Sequence, residues 1–288
     1  MALPAFIDIS DLAPGDIPQL ERLPDSIALS RIRSTAEPDF DAALSMLEAE
    51  FASKNEMESR SVIEGRLSKN ASPVGSSSMR YELCLLKRDG TPLAVCDHTE
   101  IYVRDGDFER IVVHASHALI AEKWRGKGLA ALLRAVLVRT AREFARELGK
   151  PGIKIAILAE MDPFDPLSTA NARRRHSFGK AGFKVVGVPI GYLQPDFRTP
   201  NAIDADTYGS RPVPLEIVIR LVGDENADAL PAADLQHMIA ALYRMYAREI
   251  SPREMAPCLA WFYAFARRKE HAYPLIPPTN PASIPAKS

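Results

Sequence analysis

The segment Arg125-Gly126-Lys127-Gly128-Leu129-Ala130 has the residue types and spacing with the most chemical content in the chain. An apolar stretch, Arg110 to Ile120 (RIVVHASHALI), precedes it. Behind it, Leu129, Leu132, Leu133, Val136, Leu137, Phe144 and Leu148 recur at helical spacing, with Arg134, Arg139, Arg142 and Arg146 mostly off that stripe. Small residues at the start of such a helix leave several main-chain N–H groups without intrahelical partners. Together with the positive end of the helix dipole, these groups suit an anion, phosphate above all. A Gly-rich turn that merely joins two elements is the alternative. Two phosphate motifs fail on detail. A P-loop needs Ser or Thr after its Lys, and Lys127 is followed by Gly128. Gly126, Gly128 and Ala131 satisfy GxGxxG/A, but the acidic residue required about 20 positions on is missing, Glu160 and Asp162 lying well beyond it.

Proton carriers flank this segment. On the strand Arg110 to Ile120, alternation puts His114, Ser116, Ala118 and Ile120 on one face, and Val113, Ala115, His117 and Leu119 on the other. Histidine is the natural base near neutral pH. Glu100 and Glu160, carboxylates at strand ends, are its rivals. His98 and Glu100 share a face beside Asp97 but lack further placed ligands, so no metal is expected. Cys84, Cys96 and Cys258 are odd in number and contain no CxxC pair, which argues against a disulfide framework and a zinc site, and they read as reduced core thiols.

The elements that must position these groups follow from periodicity. Ser26 to Ile32 reads as a strand, and Asp39 to Phe51 and Glu56 to Leu67 read as helices. The stretch Lys69 to Ser78 is a loop. Tyr81 to Lys87 and Leu93 to Val103 are strands joined at Asp89-Gly90, and Asp105-Gly106 marks another turn before Arg110 to Ile120, expected to be the most buried strand. After the motif helix come a strand at Ile153 to Ala159, a helix at Thr169 to Ala181, and closing strands at Phe183 to Val188 and Leu215 to Leu221. Beyond Gly223 only helix is expected, Asp234–Tyr246 and Ser251–Arg268, whose aromatic-rich face should dock on the domain or on a second copy of the chain as a homodimer. Five of the 23 prolines lie from Pro274 to Pro285, which reads as a disordered tail.

With 288 residues, 47% hydrophobic and 25% charged, the composition is that of a globular protein. The net charge of -1 provides no global field for nucleic acid or an anionic membrane. The first residues carry neither a basic start nor a long apolar run, so a cytoplasmic location is the default.

Arg125, Gly128 and Ala130, in this order of elements, resemble the signature of the GNAT superfamily of acyl-CoA N-acyltransferases: Arg or Gln, two residues, Gly, one residue, then Gly or Ala. The resemblance covers roughly 26–222. It implies an α+β fold, with a mostly antiparallel central sheet of about seven strands flanked by helices. The expected organisation is an N-terminal extension over 1–25, the acyltransferase domain over 26–223, a helical hairpin over 224–273 and the tail over 274–288. The resemblance further implies acetyl-CoA as cosubstrate, and a small-molecule or peptide amine as acceptor. Main-chain amides of Arg125, Gly126, Lys127, Gly128, Leu129 and Ala130 would hold the pyrophosphate. The pantetheine arm would lie between Ala118, Leu119 and Ile120 and the strand at Ile153 to Ala159. Asn171, Gly182 and Phe183 fall in register with the family's Asn…Phe-Tyr…Gly-Phe helix, whereas Phe178 stands where many members have a tyrosine that protonates the leaving thiolate. His114 occupies the position of the base in histidine-using members. Arg173, Arg174 and Arg175 form either a solvated basic face or a contact to the nucleotide 3′-phosphate. Transfer of another acyl group and a non-catalytic acyl-CoA-binding role remain open.

Overall fold

A computed structural model describes residues 3–54, 56–71, 78–198, 200–207 and 209–279. The chain divides into two compact units, Met1–Arg104 with Glu109–Ile157, and Asp105–Phe108 with Leu158–Ser288. The fold is mixed α+β, as expected, with a large sheet whose pairs of stated register are antiparallel.

The first unit contains β1 (Ile27–Ile32), α1 (Phe40–Phe51), α2 (Arg60–Ser68), β2 (Met79–Arg88), β3 (Thr91–Asp105), nearly all of β4 (Phe108–Ile120), α3 (Leu129–Glu147) and the first half of β5 (Lys154–Met161). Its strands lie in the order β1-β2-β3-β4-β5. Positive φ at Asp89 (50°) and Gly90 (75°) closes the β2–β3 hairpin in the primed-turn manner that the Asp-Gly pair predicts. One sheet face, with Ile32, Leu83, Leu85 and Val95, packs on Phe40, Leu44, Leu47, Ile63 and Leu67 of α1 and α2. α2 begins four residues later than expected because His117 Nε2 takes the Glu56 carbonyl, 2.8 Å away, and holds that stretch out of the helix.

The most buried strand is β3, not β4. From Leu93 to Val103 every β3 residue is buried, whereas β4 is buried only as far as His114 and becomes half-exposed from Ala115. Apolar residues occur on both faces of β4 along its length, but its C-terminal half is left open.

The N-terminal extension is built into this unit. Asp8 pairs with Arg139 (3.2 Å), Asp11 with Arg142 (2.5 Å) and Asp16 with Arg134 (2.5 Å). Arg134, Arg139 and Arg142, off the apolar stripe of α3, therefore serve as docking points for residues 8–16, and Asp11 and Asp16 are fully buried.

The second unit has the rest of β5, α4 (Thr169–Lys180), β6 (Lys184–Val186), β7 (Leu193–Gln194), α5 (Pro200–Asp204), β8 (Val213–Pro214), β9 (Glu216–Leu221), β10 (Ala229–Pro231), α6 (Ala232–Tyr246), α7 (Pro252–Ala266) and β11 (Ala272–Ile276). Its main strands run β5-β9-β6-β11-β10, while β7 and β8 pair separately. The expectation of helix alone beyond Gly223 is thus corrected. β11 pairs with β6 and β10 with β11, so 224–273 is stitched into the sheet, which has nine strands among the described residues instead of about seven. The expected tail from Pro274 is also corrected in part. Pro274 to Ile276 belong to β11, the Pro274 carbonyl accepts from Gly187 N (2.7 Å), and the Pro278 carbonyl accepts from Arg175 (3.1 Å). Residues 280–288 of that tail, and 72–77 of the Lys69 to Ser78 loop, lie outside the described residues.

Truncation after Gly223 removes both strands that cover the β6 edge, together with α6 and α7. The expected outcome is aggregation or loss of cooperative unfolding, because a bare strand edge and an apolar face are exposed together. Thermal melting and size-exclusion chromatography of the truncated chain check this; a soluble monomer with an unchanged melt contradicts it.

Candidate active site

The 125–130 segment sits between the open end of β4 and the first turn of α3. Arg125 Nε folds back to the Ile120 carbonyl (3.3 Å), anchoring the turn to the strand end. Gly126 (φ 74°) and Gly128 (φ 79°) are both left-handed, a conformation that carries no steric cost only for glycine. Gly128 is the residue immediately before α3, and its carbonyl accepts from Ala131 N (3.1 Å) and Leu132 N (3.3 Å). The main-chain amides of Gly126 to Ala130 have no protein acceptor among the described residues. Arg125, Gly126 and Lys127 are exposed, and a Cβ on Gly126 would meet nothing within 4 Å. A row of unpaired donors at the positive end of a 19-residue helix, open to solvent at its Arg125–Lys127 end, can hold an anion.

The two glycines differ in what surrounds them. A Cβ on Gly128 would lie 2.4 Å from the Gln19 carbonyl oxygen and 3.3 Å from Leu23 Cδ2. The N-terminal extension therefore passes directly over Gly128, and a side chain there would lever it away. Gly128→Val consequently disturbs fold and cradle together, whereas Ala130, half-buried on the first turn, changes the cradle alone.

Ala118 is exposed and Leu119 and Ile120 are half-buried, so the strand end beside the cradle is accessible. His114 is buried, at the last closed position of β4, with Nδ1 3.1 Å from Ser116 Oγ. His117, on the opposite face, is tied by Nδ1 to Asp97 (2.9 Å) and by Nε2 to Glu56. Burial disfavours charge on both members of this pair, but each partner outweighs it: Asp97 is held down to about 2 and His117 is raised to about 9.

Stability follows from these shifts. The His117 contribution is fully present below its unfolded value of 6.5 and is lost as pH rises through about 9. The Asp97 contribution is fully present above 3.8 and is lost as pH falls through about 2. Wild type is therefore expected to exceed His117→Ala in unfolding free energy by about 3 kcal/mol between roughly pH 4 and 6.5, with the gap narrowing on both sides. Urea titrations across pH measure it, and a pH-independent gap contradicts the pairing.

Glu100 is fully buried on β3, 3.1 Å from Arg80 Nε and 3.1 Å from His98 Nε2. Burial alone would raise its carboxyl, yet His98 and then Arg80 hold it down to about 2, and His98 is in turn raised to about 10, chiefly by Glu100 against the opposing effect of burial. It is the inner end of a polar layer beneath α3 in which Glu82 also binds Arg31 (2.8 Å) and Arg33. A carboxylate so held is a weak proton acceptor. Glu160, in the second unit, accepts from Tyr192 Oη, Gln194 Nε2 (2.7 Å) and Tyr246 Oη (2.7 Å). Tyr192, Gln194 and Tyr246 are partners that the sequence did not reveal, since the excursion 189–214 and α6 show no motif around them. Tyr192 packs against Tyr243 and Trp261, with ring centroids 5.7 Å apart in both cases. Part of the aromatic face of the hairpin is thereby covered by its own chain, while Tyr263 stays 61% exposed.

Asn171 is buried and engaged in shaping its own loop, donating to the Pro163 carbonyl (3.1 Å) and accepting from Arg175 Nε (3.0 Å). Arg173 and Arg174 are exposed, but Arg175 is fully buried against Glu216 and over the Phe164 ring, so the three arginines do not form one solvated face. Phe178 packs edge-on against Phe183, 4.9 Å between centroids. No helix among the described residues is long and apolar enough to cross a membrane.

No protein-family model matches the chain, and no curated protein sequence does. Among solved structures, an N-acetyltransferase from Staphylococcus aureus Mu50 is 10% identical, covering 69% of this chain and 99% of its own, with a TM-score of 0.36. An acyl-CoA N-acyltransferase from Pseudomonas aeruginosa is 15% identical over 68% and 99%, TM-score 0.35. An acetyltransferase of the GNAT family from Streptococcus pneumoniae is 15% identical over 69% and 100%, TM-score 0.36.

Proposed function

We propose that this chain is a GNAT-type N-acyltransferase that transfers an acetyl group from acetyl-CoA to a primary amine of a small molecule or peptide. The observation that supports it is the cradle: Arg125, Gly128 and Ala130 in the family's spacing, two left-handed glycines, and unpaired amides from Gly126 to Ala130 at the start of α3. These amides bind the pyrophosphate of the coenzyme, with Arg125 and Lys127 adding positive charge from the exposed rim.

In the proposed reaction the amine nitrogen attacks the thioester carbon directly, and His114 accepts the proton that the nitrogen gives up. Collapse of the tetrahedral species breaks the carbon–sulfur bond and releases coenzyme A thiolate. Glu100 and Glu160 are the weaker candidates for the base, one locked between Arg80 and His98 and the other saturated by three donors. Phe178 has no proton to give, so the thiolate is protonated by water or by the proton released from the amine. A free thiol pKa of about 8.5 makes thiolate a tolerable leaving group.

The lack of a proton donor at Phe178 favours a second reading, an acyl-CoA-binding regulator without turnover. The two separate in one experiment: incubation with acetyl-CoA and a panel of primary amines, following thiol release. Amine-dependent release supports the enzyme; tight coenzyme binding with no release by any amine supports the regulator.

A further inference from the structure

The strand register brings together residues that the sequence kept apart. Cys84 on β2 lies directly opposite Cys96 on β3, and His98, two residues along β3, projects from the same face. Two thiol sulfurs and a ring nitrogen, one from each residue, all lie within 4.8 Å of one another, and all three residues are buried. Among the described residues, His98 Nδ1 is buried and meets no hydrogen-bond partner other than the sulfur of Cys96. The other ring nitrogen is committed. Thr140 Oγ1 donates its own proton to the Leu137 carbonyl (3.1 Å), so at 2.9 Å from His98 Nε2 it accepts, as does Glu100 Oε1 at 3.1 Å. Nε2 therefore carries a proton in either charge state of the ring, and Nδ1 is the nitrogen left to ligate a metal. A histidine whose second nitrogen donates to a carboxylate is the usual support of a metal-ligating imidazole.

We propose that Cys84, Cys96 and His98 form a buried site for one thiophilic closed-shell metal ion, zinc(II) or copper(I), which ties β2 to β3 beneath α3. Thiolate and imidazole together select these ions over magnesium or calcium. On binding, each cysteine loses one proton to solvent, and the His98 ring gives up its Nδ1 proton while keeping the one on Nε2. Two thiolates neutralise a divalent ion, and with copper(I) the surplus negative charge lies near Arg31, which faces Cys84 from β1. The site is independent of the acyl-transfer reading.

The test uses the intact chain, purified under reductant from cells supplied with both metals and washed with a weak chelator, with metal per chain read by mass spectrometry. About one equivalent is expected, its identity separating zinc from copper, and X-ray absorption should place two sulfurs at about 2.3 Å and a nitrogen at about 2.0 Å. Cys84→Ser/Cys96→Ser should lose the metal. If that variant does not fold, the wild-type absorption spectrum alone decides. A metal-free wild type with three titratable thiols, a Cys84–Cys96 disulfide, a coordination shell without sulfur, or undiminished metal in the folded double variant each overturns the proposal.

Discussion

His114→Ala is expected to lower kcat for amine acetylation by about 10²–10⁴-fold at neutral pH and to leave coenzyme affinity unchanged. The split follows from position. His114 ends the closed half of β4, while the cradle is carried by the turn into α3 and makes no use of the imidazole. Steady-state kinetics across pH, combined with calorimetric coenzyme titration, measures both halves. Full activity in His114→Ala moves the base to Glu160, and equal losses in affinity and turnover indicate that His114 only packs the strand.

Ala130→Glu is expected to weaken coenzyme A by at least about a hundred-fold, to the limit of calorimetric detection. The new carboxylate on the first turn of α3 repels a pyrophosphate held by the neighbouring amides, and the favourable helix-end field cannot offset two like charges at close range. The melting temperature should change little, since Ala130 is half-buried and contributes one methyl. Gly126→Val is the companion variant, placing bulk in open space with φ at 74°. It should reduce affinity through backbone strain and obstruction of the cradle. A coenzyme affinity equal to wild type in both variants rules out the cradle.

Most of the first unit was legible because its signals are local. Alternation along β2 and β3, the Asp89-Gly90 turn and the long apolar stripe of α3 each need only neighbouring residues to be read, and each element lies where its pattern put it. The misses depend on distant partners. Arg134, Arg139 and Arg142 give no sign in sequence that Asp16, Asp8 and Asp11, more than a hundred residues earlier, are their counterparts. β10 and β11 are three and five residues long and each carries a proline, too short and too interrupted for a period to show, and their strand character comes from pairing with β6 and with each other.

The candidate site divides in the same way. The 125–130 segment is contiguous, so its residue types and its place before α3 were legible directly, whereas the positive φ of Gly126 and Gly128 came only with the structure. The hydrogen bonds around Glu100, Glu160 and His98 are set by strand register and by α3 and α6. Cys84 and Cys96 looked like two unrelated thiols until register put them opposite each other.

The most direct test of the central claim is hydrogen–deuterium exchange of the intact protein with and without coenzyme A. The amides of Gly126 to Ala130 are expected to exchange fast alone, lacking acceptors, and to become protected on saturation, with the strongest protection in the peptides that span 125–131. Binding that leaves those amides exchanging as fast as before, with protection elsewhere, contradicts the account.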